Sequence, residues 1–411
     1  MSAKPMGPIP AGFAARDGQL LIGGRTAEDL VAQASDTPLF VYDGAMIRAR
    51  VATLRAAMPG NLSIHYAVKA NPFAPLLSLM AGLVDGFDIA SGGEREMARA
   101  AGMGADRISF AGPGKRDDEI EAALKDGVTI NLESEGEAGR ALAIADRVGV
   151  RPRLAVRVNP DFELRGSGMR MGGGAKPFGV DADRASALAR HLIAAGADWQ
   201  GWHIFAGSQA LDAEAIMDAQ EQTIRLAARL SEAVGASPPL VNLGGGFGVP
   251  YFPGETELDA DRIGGALSSA LHSRGASLSG SKFALELGRW LVAEAGVYLT
   301  RIVDVKRSQG ERFAVVDGGL HHQLAASGNF GTVIRRNYPL AVANRFDAPA
   351  DDTPTTVVGC LCTPLDLLGA SVALPEPQVG DLVAIFMAGA YGATASPAAF
   401  LGHRPAQELM L

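Results

Sequence analysis

Only two of the 411 residues are cysteines, Cys360 and Cys362. That count excludes a disulfide framework. No metal is expected either, since neither a second cysteine pair nor clustered histidines are read as completing a zinc site. Positive charge is also scarce: 37 Lys and Arg stand against 45 Asp and Glu, for a formal net charge of −8. With no long basic run, a nucleic-acid partner is not expected, because phosphate binding needs clustered Lys and Arg. No apolar run reaches the roughly 18 residues of a membrane span. The opening MSAKPMGPIPAGF lacks the apolar core of a signal peptide. These absences lead to the expectation of a cytoplasmic chain that makes no membrane contact, its negative charge serving solubility. Hydrophobic residues make up 47% and charged residues 20%, as in a soluble globular protein. The length allows two domains and a core that needs no covalent staples.

From about residue 45 a unit repeats: short apolar strand, turn, amphipathic helix. The strand-like runs are SIHYAVK (63–69), GFDIA (86–90), RISFAG (107–112), VTINLES (128–134), RLAVRVN (153–159), GWHIFAG (201–207), PLVNLGG (239–245) and KFALELG (282–288). Between them, in 134–148 and 182–196 for example, apolar positions recur every three and four residues, the helical period. Alternating strand and helix predict a parallel sheet. Eight units over 45–290 predict a closed (β/α)₈ TIM barrel, typically about 250 residues long. Beyond 290 the texture changes to strand-like runs such as RFAVVDGG and DLVAIFMAG with few long helices, which predicts a β domain. TPLFVYD (37–43) reads as a strand ahead of the barrel, able to pair with that domain. The predicted β domain is therefore 1–44 together with 291–411. RGSGMRMGGGAKPFG (165–179) lacks periodicity and reads as a mobile loop or a surface insertion.

Three places carry chemistry. Lys69 ends the first barrel strand, and such barrels place their active face at the strands' C-terminal ends. Partial desolvation there would lower a lysine's pKa and make its amine nucleophilic. His65 shares the strand face by period-two spacing, with packing as its favoured role. Gly244, Gly245, Gly246 and Gly248 follow the seventh strand, where barrels often bind phosphate through backbone amides. Glu286 closes the eighth strand, with Gly288 and Arg289 just beyond. A carboxylate there can face a cationic ring nitrogen, and an arginine can pair with phosphate. Taken singly, each also reads plainly, as a solvated lysine, a turn and a local ion pair. Together they supply an amine, an anion cradle and a carboxylate at one end of one barrel, the set that pyridoxal phosphate requires.

Five ordered motifs extend the pattern: Tyr66-Ala-Val-Lys69-Ala-Asn71, Gly244-Gly-Gly-Phe-Gly248, Glu286-Leu-Gly-Arg289, Cys362-Thr-Pro-Leu-Asp366 and Gly389-Ala-Tyr391. Over about residues 37–395 the chain resembles the fold-type III pyridoxal-phosphate decarboxylases, the diaminopimelate/ornithine decarboxylase group. GSGMRMGGG and HIFAGSQ look most like the branch associated with exosortase gene clusters. The resemblance implies an alanine racemase-like barrel with a C-terminal β domain and pyridoxal 5'-phosphate as cofactor. It implies a Schiff base on Lys69 and phosphate contacts from Gly244, Gly245, Gly246, Arg289 and Tyr391. Glu286 would meet the ring nitrogen, and Asp88, Arg157, Phe205, Ser208 and Gly288 would line the cofactor site. Cys362, with Thr363 and Asp366 on the substrate side, would reach the partner's site in a head-to-tail homodimer. Without the resemblance, Cys362 reads as a buried cysteine of a β domain.

The chain departs from the family pattern in three places. Phe205 stands where a histidine usually stacks on the cofactor, and His203 lies two residues earlier. Thr363 replaces an acid that meets the substrate's distal amine. Leu287 and Cys360 replace prolines. The implied activity is decarboxylation of an amino acid, or of an amino-acid-derived or carrier-linked substrate, with Cys362 as proton donor. A neutral or acidic distal group fits better than diaminopimelate, lysine or ornithine. The alternatives are diaminopimelate decarboxylase proper, a racemase on the same barrel and a non-catalytic cofactor-binding homologue.

Overall fold

The computed structural model describes residues 2–329 and 335–411. Two compact units emerge: Val51–Val249 with Glu257–Gly288, and the N-terminal segment up to Arg50 with Pro250–Thr256 and Arg289–Leu411.

The first unit is a closed parallel barrel, so the predicted fold class is borne out. Its strands are β1 (Leu62–Ala67), β2 (Gly86–Ile89), β3 (Ile108–Phe110), β4 (Thr129–Leu132), β5 (Arg153–Asn159), β6 (Asp198–Ile204), β7 (Leu240–Asn242) and β8 (Lys282–Leu287). Each pairs with the next in parallel, and β8 closes on β1 with Glu286 opposite His65. Local chemistry punctuates the units. The helix Glu135–Val148 starts where the Ser134 side chain accepts the Glu137 N–H, and it ends at Gly149 with φ +69, the usual cap residues at each end. Its buried face, Ala138, Ala141, Ile144 and Ala145, follows the helical period. Burying Ile144 alone contributes about 1.5–3 kcal/mol.

Two expectations are corrected in detail. β1 stops at Ala67, and Lys69 sits in a single 3₁₀ turn, Val68–Ala70, closed by the Asn71 N–H on the Val68 carbonyl at 3.1 Å. Asn71 precedes Pro72 and is extended, as the proline ring demands of its neighbour. The glycine-rich stretch 165–179 is tied down. Met169–Arg170 pairs antiparallel with Gly207–Ser208. The Met171 and Gly172 amides donate to the Ala206 carbonyl, and the Asn159 side chain donates to the Gly174 carbonyl. Single-residue ties of this kind satisfy backbone groups without leaving a periodic pattern in the sequence.

The second unit is built on a long strand, Gly296–Ser308. It pairs antiparallel with Glu311–Val316, Leu382–Ile385 and Leu39–Tyr42. Gln407–Met410 pairs in parallel with Leu39–Tyr42. Thr355–Val358 and Leu367–Val372 extend the sheet beyond Glu311–Val316. Leu39, Phe40 and Val41 are fully buried, which fits the apolar run TPLFVYD. No helix among the described residues is long and apolar enough to cross a membrane.

Candidate active site

A cavity of about 380 Å³ opens at the C-terminal ends of the barrel strands, with Lys69, Asp88, Lys115, Arg157, Phe178 and Glu286 in its lining. The Lys69 amine lies 3.7 Å from Glu286 Oε1, and His203 Nε2 lies 2.9 Å from Glu286 Oε2. Burial alone would raise the Glu286 pKa. The Lys69 ammonium, the His203 ring and Arg157 outweigh it and hold the group at about 2. Glu286 is therefore an ionised carboxylate at any working pH. His65 does more than pack: its Nδ1 is 3.3 Å from Asp88 Oδ2. Burial opposes the charged ring, yet Asp88 raises the His65 pKa overall.

Strand register and loop bonds fix the far wall, where sequence reasoning expected Arg157 but missed the residues around it. Arg157 Nη1 donates to Glu133 Oε1 at 2.7 Å, and its guanidinium lies 5.1 Å from the centroid of the Phe178 ring. The Glu133 carboxylate also accepts the Gly112 N–H (2.6 Å) and the Gly179 N–H (2.7 Å). One carboxylate thus ties together the loop after β3, β5 and the end of the 165–179 segment. Lys115 is buried and donates to the carbonyls of Gly112 and Asn131 and to Glu137, at 2.8, 2.9 and 2.8 Å. Its three N–H groups are all engaged. Phe178 and Met171 line the cavity from the segment that the sequence presented as featureless.

Beyond β7 the backbone turns sharply. Gly244 and Gly246 hold φ +69 and +93, and a Cβ on Gly245 would stand 2.0 Å from the Glu286 carbonyl oxygen. Only glycine fits here. The Gly245 and Gly246 amides donate to no protein acceptor among the described residues. Phe205 lies just past β6, its ring centroid 5.5 Å from the Lys69 amine. Ser208 is half-buried in the small sheet with Met169–Arg170. Gly288 acts as a spacer, since a Cβ there would stand 2.7 Å from that of Ala70.

In the second unit, Arg289 Nη1 donates to the Tyr251 hydroxyl at 2.9 Å, and the guanidinium lies 4.6 Å from the Tyr391 ring centroid. Tyr391 has φ +54, an uncommon conformation for a non-glycine residue, of the kind that gathers at functional sites. Cys362 is exposed and Thr363 half-buried. Asp366 is buried, and its two oxygens accept the Leu320 and Leu361 N–H groups at 2.7 and 2.8 Å. The Asp366 carboxylate thus ties together its own loops.

The barrel residues fit pyridoxal phosphate: an amine for the aldehyde, an ionised carboxylate for the ring nitrogen, and unpaired glycine amides for an anion. Residues 44–293 match the family described as pyridoxal-dependent decarboxylase, pyridoxal binding domain. The chain belongs to this family. It is 36% identical to the L-glutamyl-[BtrI acyl-carrier protein] decarboxylase of Niallia circulans over 91% of this chain and 89% of that one. It is 35% identical to the diaminopimelate decarboxylase of Methanothermobacter thermautotrophicus over 96% and 91%. The crystal structure of Helicobacter pylori diaminopimelate decarboxylase complexed with L-lysine superposes with a TM-score of 0.82, at 31% identity over 93% and 94%. The chain is thus a pyridoxal-phosphate-dependent decarboxylase, a carboxy-lyase.

Proposed function

We propose that this decarboxylase acts on an amino acid whose distal end carries no ammonium group: neutral, acidic, or joined to a carrier. The carrying observation is the pair Thr363 and Asp366. Thr363 offers no charge after Cys362, and the Asp366 carboxylate, engaged by two backbone amides, does not replace it. The similarity to a decarboxylase named for a carrier-linked glutamyl substrate supports the same reading. Similarity to diaminopimelate decarboxylases keeps free diaminopimelate as the second reading.

Lys69 holds the cofactor, since Lys115 has every N–H engaged. When bound, pyridoxal phosphate would supply an electron sink for the pair that the departing α-carboxylate leaves behind. Glu286 holds a proton at the ring nitrogen, and His203 orients Glu286. His203 is thereby occupied, which supports Phe205 as the residue beneath the ring, where an apolar face can stack. Gly245 and Gly246 hold the phosphate through backbone amides, Gly244 sets the turn with its own N–H donated to the Asn242 side chain at 2.9 Å, and Arg289 and Tyr391 add a charge and a hydroxyl. Asp88 and Arg157 bound the site. Cys362, exposed on its own chain, returns a proton to the carbon that lost its carboxylate, serving the partner's barrel in a homodimer.

The test is carbon dioxide release from a glutamyl-carrier protein by purified enzyme, followed by borohydride reduction and peptide mapping. Release of carbon dioxide and a label on Lys69 are expected. Inversion at the α-carbon with the carboxylate retained, or a label on Lys115, overturns the reading.

A further inference from the structure

A second cluster, in the β-rich unit, has no part in the chemistry described above. Cys360 Sγ lies 3.8 Å from His403 Nδ1 and 4.0 Å from its Nε2. The His321 and His403 ring centroids are 5.2 Å apart. One donor atom from each of His321, Cys360 and His403 lies within 4.8 Å of the others. His321 is fully buried, and neither of its ring nitrogens has a hydrogen-bond partner among the described residues. A buried unpaired imidazole calls for a partner. Its neighbour His322 is already engaged, Nδ1 with the Tyr298 hydroxyl at 3.0 Å and Nε2 with the Arg404 carbonyl at 2.8 Å. Asp366 pins Leu320, just before His321, and Leu361, just after Cys360. The same carboxylate thus fixes the backbone beside two of the three donors, as supporting residues do in metal sites.

We propose that His321, Cys360 and His403 bind one divalent cation of the zinc type, with a fourth position open to water. One thiolate and two imidazoles select a borderline-soft ion over magnesium or calcium. Ordinary zinc–sulfur and zinc–nitrogen lengths place tetrahedral S and N ligands about 3.5 Å apart, close to the separation found. Coordination exchanges the Cys360 thiol proton for the cation, so one proton is released per ion bound. Cys360 stands where the family pattern has proline, so the site belongs to this chain's own sequence.

The experiment strips holoenzyme with a chelator and titrates it with Zn²⁺ and, separately, Co²⁺. One ion per chain is expected, with one proton released and, for Co²⁺, a thiolate charge-transfer band. Cys360→Ser and His403→Ala, both at accessible positions, should each weaken binding by more than about tenfold while the cofactor absorbance persists. Cys362→Ser should bind metal normally. Absence of a stoichiometric ion, wild-type binding by Cys360→Ser, or loss of binding in Cys362→Ser alone overturns the proposal.

Discussion

Glu286 carries the most consequential charge in the barrel. Burial favours its neutral form, yet Lys69, His203 and Arg157 keep it ionised. Glu286→Gln removes the anion and leaves Lys69, His203 and Arg157 facing an amide. Activity should fall by roughly a hundredfold or more, the scale of a lost acid–base group, while borohydride still labels Lys69. A variant within a few-fold of wild type would remove Glu286 from the mechanism. The same group sets a pH dependence. Its folded pKa lies below the ordinary 4.5, at about 2, so its contribution to stability is present above 4.5 and is lost as pH falls toward 2. Thermal unfolding of wild type and Glu286→Gln should show a stability gap that closes across that window. A gap that widens on acidification contradicts the assignment.

At the level of elements, the glycine turn after β7 and the Glu133 tie decide whether the cavity keeps its shape. Gly245→Ala drives a methyl into the backbone at Glu286. Overpacking costs about 1–3 kcal/mol, so a lower melting temperature and weaker cofactor affinity are expected. An unchanged cofactor titration would show that the turn is not the anion cradle. Glu133→Ala leaves the Arg157 guanidinium buried without its carboxylate, a loss of about 3–5 kcal/mol. It also frees the Gly179 end of the 165–179 segment. Limited proteolysis should then cut within 165–179, and wild-type resistance would show that the other ties suffice. The eight strands, the glycine turn and Glu286 were legible because period, turn chemistry and strand-end position are local signals. Glu133, Lys115 and Phe178 were not, because their meaning lies in bonds to residues 16–46 positions away. The His321, Cys360 and His403 cluster was hidden for the same reason, its thiol and His403 lying 43 residues apart. The two backbone amides that Asp366 accepts were not legible either, since one of them, Leu320, lies 46 positions away.

On the scale of the whole molecule, the proposed division of labour is between chains. If Cys362 serves the partner's barrel, inactive Lys69→Ala and inactive Cys362→Ala chains should regain activity when mixed, because each mixed dimer then holds one intact site. Subunit exchange without recovery would place both groups in one chain's site. The substrate claim rests on a missing charge. A charge-assisted hydrogen bond contributes about 1.5–3 kcal/mol, so its loss costs roughly ten- to a hundredfold in discrimination. The most direct measurement is steady-state kinetics on free diaminopimelate, lysine and ornithine beside a glutamyl-carrier protein. The carrier-linked substrate should be preferred, and kcat/KM on each free diamino acid should fall well below about 10⁴ M⁻¹s⁻¹, an ordinary value for an enzyme on its own substrate. A value at or above about 10⁴ M⁻¹s⁻¹ on any of the three would contradict the role proposed for Thr363 and Asp366 in substrate choice.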